Sequence, residues 1–183
     1  KNKNILITGA GGSIGSELCL QILKLSPKKI VLFELNELAL YNIEKKINEI
    51  LTIGDNIEVI SCLGSINDKI RLCKILSTHS INIVMHAAAY KHVHLVESNI
   101  VEGFKNNVIG TYNLVQSIKD FPIERFILVS SDKAVRPTNI MGATKRITEI
   151  LVQSEAESNI KTQFTIVRFG NVIGSSGSVI PLF

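Results

Sequence analysis

The chain has 183 residues, of which 45% are hydrophobic and 20% charged, with a formal net charge of +4 at pH 7. That is enough chain for one domain with a proper core. No apolar run approaches the roughly 20 residues that cross a bilayer, and Lys and Glu are interspersed with no basic arm, which argues against a nucleic-acid partner. Mild basicity suits an anionic small molecule. Lys1 to Asn4 is polar and no signal peptide is visible. The chain lacks an initial Met and ends on Val-Ile-Pro-Leu-Phe, so it reads as a piece of something longer. Any membrane anchor is expected in segments outside it.

Short apolar runs alternate with longer helical patterns. Asn4 to Thr8 reads as a buried strand, followed by a helix from about Ser13 to Leu25. Lys29 to Glu34 is a second strand, with a helix around Glu37 to Leu51. Ile57 to Ser61 is a third, with a helix around Asp68 to Ser77. Asn82 to Ala87 is a fourth, leading to a long helical region from Val101 to Lys119. Arg125 to Ser130 is a fifth, and a helix from Asn139 to about Glu155 follows Pro137. Phe164 to Phe169 is a sixth. These strands are apolar on both faces, as parallel strands covered by helices are. Regular alternation with helices implies right-handed βαβ crossovers. The expected architecture is an α/β, Rossmann-like doubly wound parallel sheet of order 3-2-1-4-5-6, with helices on both faces and an extra strand allowed for. Residues 1–183 form one such domain.

Cys19, Cys62 and Cys73 are odd in number and form no CxxC pair. Each lies among apolar residues, which argues for buried thiols in a reducing, cytoplasmic compartment. His86, His92 and His94 have no Cys or carboxylate at ligand spacing, so no metal is expected.

The stretch TGAGGSIG lies between the first strand and first helix. Gly9, Gly12 and Gly15 permit a tight turn, close approach to a pyrophosphate and close helix packing. The amino end of the helix, at Ser13 and Ile14, offers N–H groups to phosphates. A dinucleotide is expected there. Glu34 ends the second strand, where an acid accepts from ribose hydroxyls and repels a 2′-phosphate. NAD is therefore expected over NADP. Ala87, Ala88 and Ala89 are small enough to pass close to the cofactor. Tyr90 and Lys91 are read as facing cofactor or substrate phosphate, and Ser175 to Ser178 as adding phosphate contacts through backbone amides. Ser130 and Ser131 close the fifth strand at the carboxyl edge, with Asp132 and Lys133 next. Met141 and Lys145 are one helical turn apart and share a face. A lysine there can hold the nicotinamide ribose.

TGAGGSIGSE, HAAAYKHV, SSDKA, MGATK and VRFGNVIGSSGS occur in order. Together they resemble the extended short-chain dehydrogenase/reductases. More narrowly, they resemble the bacterial nucleotide-sugar 4,6-dehydratases of the CapD-like polysaccharide-biosynthesis group, over essentially the whole chain. The family usually has a tyrosine four residues before the lysine, where this chain has Met141. That substitution resembles the large, membrane-anchored UDP-N-acetylglucosamine 4,6-dehydratases that retain configuration at C5. The resemblance implies a UDP-sugar substrate, a 4-keto-6-deoxy product for surface glycans, homo-oligomers, and a smaller carboxyl-terminal lobe outside this chain. It implies a location at the cytoplasmic face of the inner membrane for the full-length protein. By resemblance, Asp132 is the acid at C6 and Lys133 the base at C5. Asn107 lies beside the active site, and Asn171 and Ser178 meet the nucleotide-sugar. Ser65 stands where relatives often carry an adenine-contacting Asp, and His94 where many have Pro. With no tyrosinate, Ser131, Lys145, water or the Asp132–Lys133 pair are left to take the C4 hydroxyl proton. A 4-epimerase and a non-catalytic NAD-binding module are the alternatives: the first does not need Asp132–Lys133, and Met141 favours the second.

Overall fold

A computed structural model describes residues 2–52 and 54–170. The apolar runs form strands β1 (Asn4–Thr8), β2 (Lys29–Glu34), β3 (Glu58–Leu63), β4 (Ile83–His86), β5 (Arg125–Ser131) and β6 (Gln163–Phe169). All pair in parallel, in the order β3-β2-β1-β4-β5-β6. This is the doubly wound, Rossmann-like order expected. Among the described residues no seventh strand joins the sheet.

Period-2 alternation splits β1 between two cores. Ile5 and Ile7 pack with Ile22 and Leu23 of α1 (Ser13–Leu23) and with Leu40, Ile43 and Ile47 of α2 (Glu37–Ile50). Leu6 faces the other side with Val31 and Val84. There Leu72 and Leu76 of α3 (Lys69–His79) cover the sheet. Each fully buried Leu or Val contributes about 1.5–3 kcal/mol. The helix starts follow capping chemistry. Asn36 accepts from Ala39 N–H, Asp68 from Arg71 N–H and Asn139 from Gly142 N–H. Ser80 ends α3 in the left-handed conformation.

The long helical region expected from Val101 to Lys119 is broken. A short helix, α4 (Val93–Ser98), precedes it. Asn99 breaks the helical path, and α5 (Ile100–Phe104) runs into a π-turn (Lys105–Ile109) before α6 (Gly110–Ile118). The Gly110 N–H bonds the Lys105 carbonyl, five residues back, which defines the π geometry. Leu114, Val115 and Ile118 of α6 and Val152 of α7 (Ile140–Ser158) complete the second core. Strand and helix ends otherwise agree with expectation to within three residues, the largest difference being at the end of α7.

Candidate active site

The carboxyl ends of β1, β2, β4 and β5 open into one cavity of about 1000 Å³. Its first half is the glycine loop. Gly9 sits at φ +67°, and a Cβ there would lie 2.7 Å from the Ala88 backbone. A side chain at Gly15 would strike the Gly9 carbonyl. The loop therefore lies flat against Ala87 and Ala88. Helix α1 begins with Gly12 as N-cap and no side-chain cap. Its amino end, with Ser13 and Ile14, lines the cavity with N–H groups and a partial positive charge.

Glu34 lines the same half and braces it. Its Oε2 accepts the Gly11 N–H at 3.0 Å, and its Oε1 accepts those of Leu35 and Asn36 at 2.9 and 3.0 Å. A carboxylate has about four acceptor positions, so Oε2 keeps one for a ligand hydroxyl. Ser65 also lines this half, and its Oγ accepts the Asn67 N–H. Ala87, Ala88 and Ala89 form the opposite wall. Lys91 reaches across it, with Nζ 3.2 Å from Ser13 Oγ.

The second half is built on β5 and α7. Ser131 Oγ donates to Asp132 Oδ1 at 2.9 Å and accepts the Lys133 N–H at 3.2 Å. Lys133 Nζ donates to the same Asp132 oxygen at 3.2 Å. The Ser131 hydroxyl, and then Lys133, hold the Asp132 carboxyl below its ordinary range. Ser131 and Lys133 line the cavity, while Asp132 is half exposed at its edge.

Met141 and Lys145 line the cavity from α7, as their shared face requires. Met141 is buried, and its carbonyl accepts the Thr144 hydroxyl. Gly142 lets this helix abut the Asp132–Ala134 turn, since a Cβ there would strike the Lys133 carbonyl. Lys145 is buried and donates to the Val129 carbonyl at 2.7 Å. Burial pushes its pKa down to about 8, against the opposing charge of Glu149.

Asn107 stands behind the wall. It is 1% exposed, with Oδ1 accepting the Tyr90 N–H at 2.7 Å and Nδ2 donating to the Tyr90 carbonyl and Thr144 hydroxyl, each at 3.0 Å. These bonds occupy its amide, so here it clamps the Ala87–Tyr90 loop to α7, and the neighbouring Asn106 lines the cavity in its place. Asn171 and Ser178 lie outside the described residues.

Sequence reasoning passed over Gly11 and Glu149, and gave Ser130 no role beyond closing the fifth strand. Glu149 is fully buried and accepts from Ser130 Oγ at 2.7 Å, Arg146 Nη1 at 2.9 Å, and Arg168 Nε and Nη2 at 2.8 and 2.7 Å. Arg168 above all holds its pKa down to about 2. The sequence carries only fragments of this: Glu149 follows Lys145 by one helical turn and Arg168 interrupts an apolar strand, but nothing in it joins the two. Among the described residues no group of three or more His, Cys, Asp or Glu could hold a metal. No described helix is long and apolar enough to cross a membrane.

The family model for polysaccharide biosynthesis proteins matches residues 5–183. The chain belongs to this family. It is 48% identical over 182 residues to the capsular polysaccharide biosynthesis protein CapD of Staphylococcus aureus, covering 100% of the chain and 30% of that protein. It is 35% identical over 184 residues to a UDP-N-acetylglucosamine 4,6-dehydratase (inverting) of Campylobacter jejuni, covering 99% of the chain and 52% of that protein. The structure of Pen from Bacillus thuringiensis superposes with a TM-score of 0.89 at 35% identity, covering 100% of the chain and 56% of that one. The chain thus spans 30% and 52% of the lengths of the two curated relatives.

Proposed function

We propose that this chain is the NAD-binding catalytic domain of a nucleotide-sugar 4,6-dehydratase that acts on UDP-N-acetylglucosamine. The observation that carries the reading is the Asp132–Lys133 pair, joined through one carboxylate oxygen at the edge of the cavity, which Lys133 lines. The membership of the chain in the polysaccharide biosynthesis family and its likeness to the C. jejuni dehydratase support it.

The residues fit NAD. Gly9 and Gly15 leave no room for side chains where a pyrophosphate would approach, and the uncapped start of α1 faces the same space. Glu34 keeps an acceptor position for a ribose hydroxyl and would repel a 2′-phosphate. When bound, NAD would take hydride from C4 of the sugar and return it to C6.

The protein supplies the proton chemistry. With a ketone at C4, the C5 proton is acidic, and Lys133 removes it. Asp132 protonates the C6 hydroxyl, which leaves as water with the C5–C6 double bond forming. Resting charges oppose both roles: Asp132 is held ionised by Ser131 and Lys133. Transfer of a proton from Lys133 to Asp132 across their 3.2 Å hydrogen bond, as substrate displaces water, supplies both correct forms. Lys145, mostly protonated at pH 7, holds the ribose.

Incubating the full natural protein with UDP-N-acetylglucosamine and following its mass tests the reading. Loss of one water is expected. An epimerised sugar of unchanged mass would make the protein a 4-epimerase, and no reaction would leave a non-catalytic module.

A further inference from the structure

A row of hydrogen bonds runs beneath the cavity. His86 ends β4 and is 1% exposed. Its Nδ1 lies 2.7 Å from Thr8 Oγ1, at the end of β1, and its Nε2 lies 2.9 Å from Thr111 Oγ1, in α6. The neighbours fix every proton. The Thr111 hydroxyl spends its only hydrogen on the Asn107 carbonyl at 2.5 Å, so it accepts from His86 Nε2–H. His86 Nδ1 is then bare and accepts the Thr8 hydroxyl. Thr8 Oγ1 in turn accepts the Ala88 N–H at 3.4 Å.

All donors in the row point one way, from Ala88 to Asn107. Its first end is the wall against which Gly9 packs. Its second end is the π-turn, whose Asn107 amide holds Tyr90 and Thr144. The imidazole spans this distance because its two nitrogens sit on opposite edges, one accepting and one donating. It must also be uncharged, because the buried Lys145 already places a positive charge nearby. Burial, and then that charge, push the His86 pKa down to about 3.

We propose that His86 is a positioning residue: a neutral imidazole in one tautomer that sets the Ala87–Tyr90 loop against the glycine loop and registers both to the Lys105–Ile109 turn. Its effect on the cofactor rests on the dinucleotide reading above; its effect on the loop does not.

Two pairs of variants test this. His86→Asn keeps an acceptor near the Nδ1 position and loses the far donor, and His86→Gln keeps a donor near Nε2 and loses the near acceptor. Thr111→Val removes the π-turn link, and Thr111→Ser keeps it. Hydrogen exchange at the Ala88 and Tyr90 amides should quicken about tenfold in Thr111→Val and His86→Gln, the scale of one buried hydrogen bond lost. Thr111→Ser should match wild type, and NAD affinity should fall in the same order. Nitrogen chemical shifts should show the Nε2–H tautomer at every pH where the protein stays folded. Unchanged exchange in Thr111→Val, equal disturbance in Thr111→Ser, or a doubly protonated ring each overturns the proposal. Should either His86 variant fail to fold, the Thr111 pair decides alone. If wild type binds no NAD while the exchange pattern holds, the positioning role stands and the dinucleotide reading falls.

Discussion

Ser131 Oγ donates to Asp132 Oδ1 at 2.9 Å, and that bond is the largest influence holding Asp132 ionised. Ser131→Ala should therefore move the Asp132 titration upward toward the ordinary carboxylate range, visible by carbon NMR of its carboxyl. Asp132→Asn should slow water elimination by about 10²–10⁴-fold, the usual worth of a positioned acid. Lys133→Met should also stop solvent deuterium from entering at C5. Wild-type turnover in both variants would refute the assigned roles.

Lys145 gives a pH dependence of opposite sign to a lysine held in an ion pair. Its pKa is about 8 in the folded chain and 10.5 as a free side chain. Between those values the unfolded chain binds the extra proton, so stability from this group rises with pH across that window. Below pH 8 the buried cation costs its full amount, on the order of 3 kcal/mol. Lys145→Met should raise the melting temperature at pH 7 while cofactor affinity falls. A melting temperature that is unchanged or lower at pH 7 would count against the assignment.

Glu149 has the usual carboxylate sign. Its pKa of about 2 lies below the free value of 4.5, so its contribution is present above pH 4.5 and is lost as pH falls toward 2. Glu149→Ala leaves Arg168 and Arg146 without their shared partner and should cost about 3 kcal/mol. Urea unfolding at neutral pH measures it, and the gap between variant and wild type should narrow in acid.

Gly9→Ala places a Cβ at φ +67° against the Ala88 backbone. A loss of about 1–3 kcal/mol is expected, with weaker dinucleotide binding. Gly54→Ala is the control, since nothing lies within 4 Å of the added carbon. Equal effects at both sites would count against the loop's close approach as the cause, since backbone entropy alone makes such a substitution mildly stabilising.

The sheet was legible because its strands carry the signal themselves. Runs such as Asn4–Thr8 and Lys29–Glu34 are apolar on both faces, and their limits in the structure match those read from the residues. The glycine loop and Glu34 were legible for a related reason: backbone conformation and strand position dictate those residue types. The roles of His86, Asn107 and Glu149 were not. Each is a buried polar group whose meaning lies in partners 17 to 78 residues away, and a single sequence does not record those distances. The π-turn was hidden too, because one extra residue per turn hardly disturbs the spacing of apolar positions.

That turn also limits how the chain can change in length. Each residue of an α-helix advances it by about 100°. Adding a further residue between Lys105 and Ile109, beyond the one the π-turn already absorbs, would swing everything after it by about that angle. Leu114 and Ile118, both fully buried, would then face away from the sheet. Thr111 would lose His86 in the same rotation. The exposed connection at residues 54–56 has no such coupling, so tolerance to insertion should differ sharply between the two segments. A library of single-residue insertions would read the π-turn as a place where length, more than side-chain identity, is under selection.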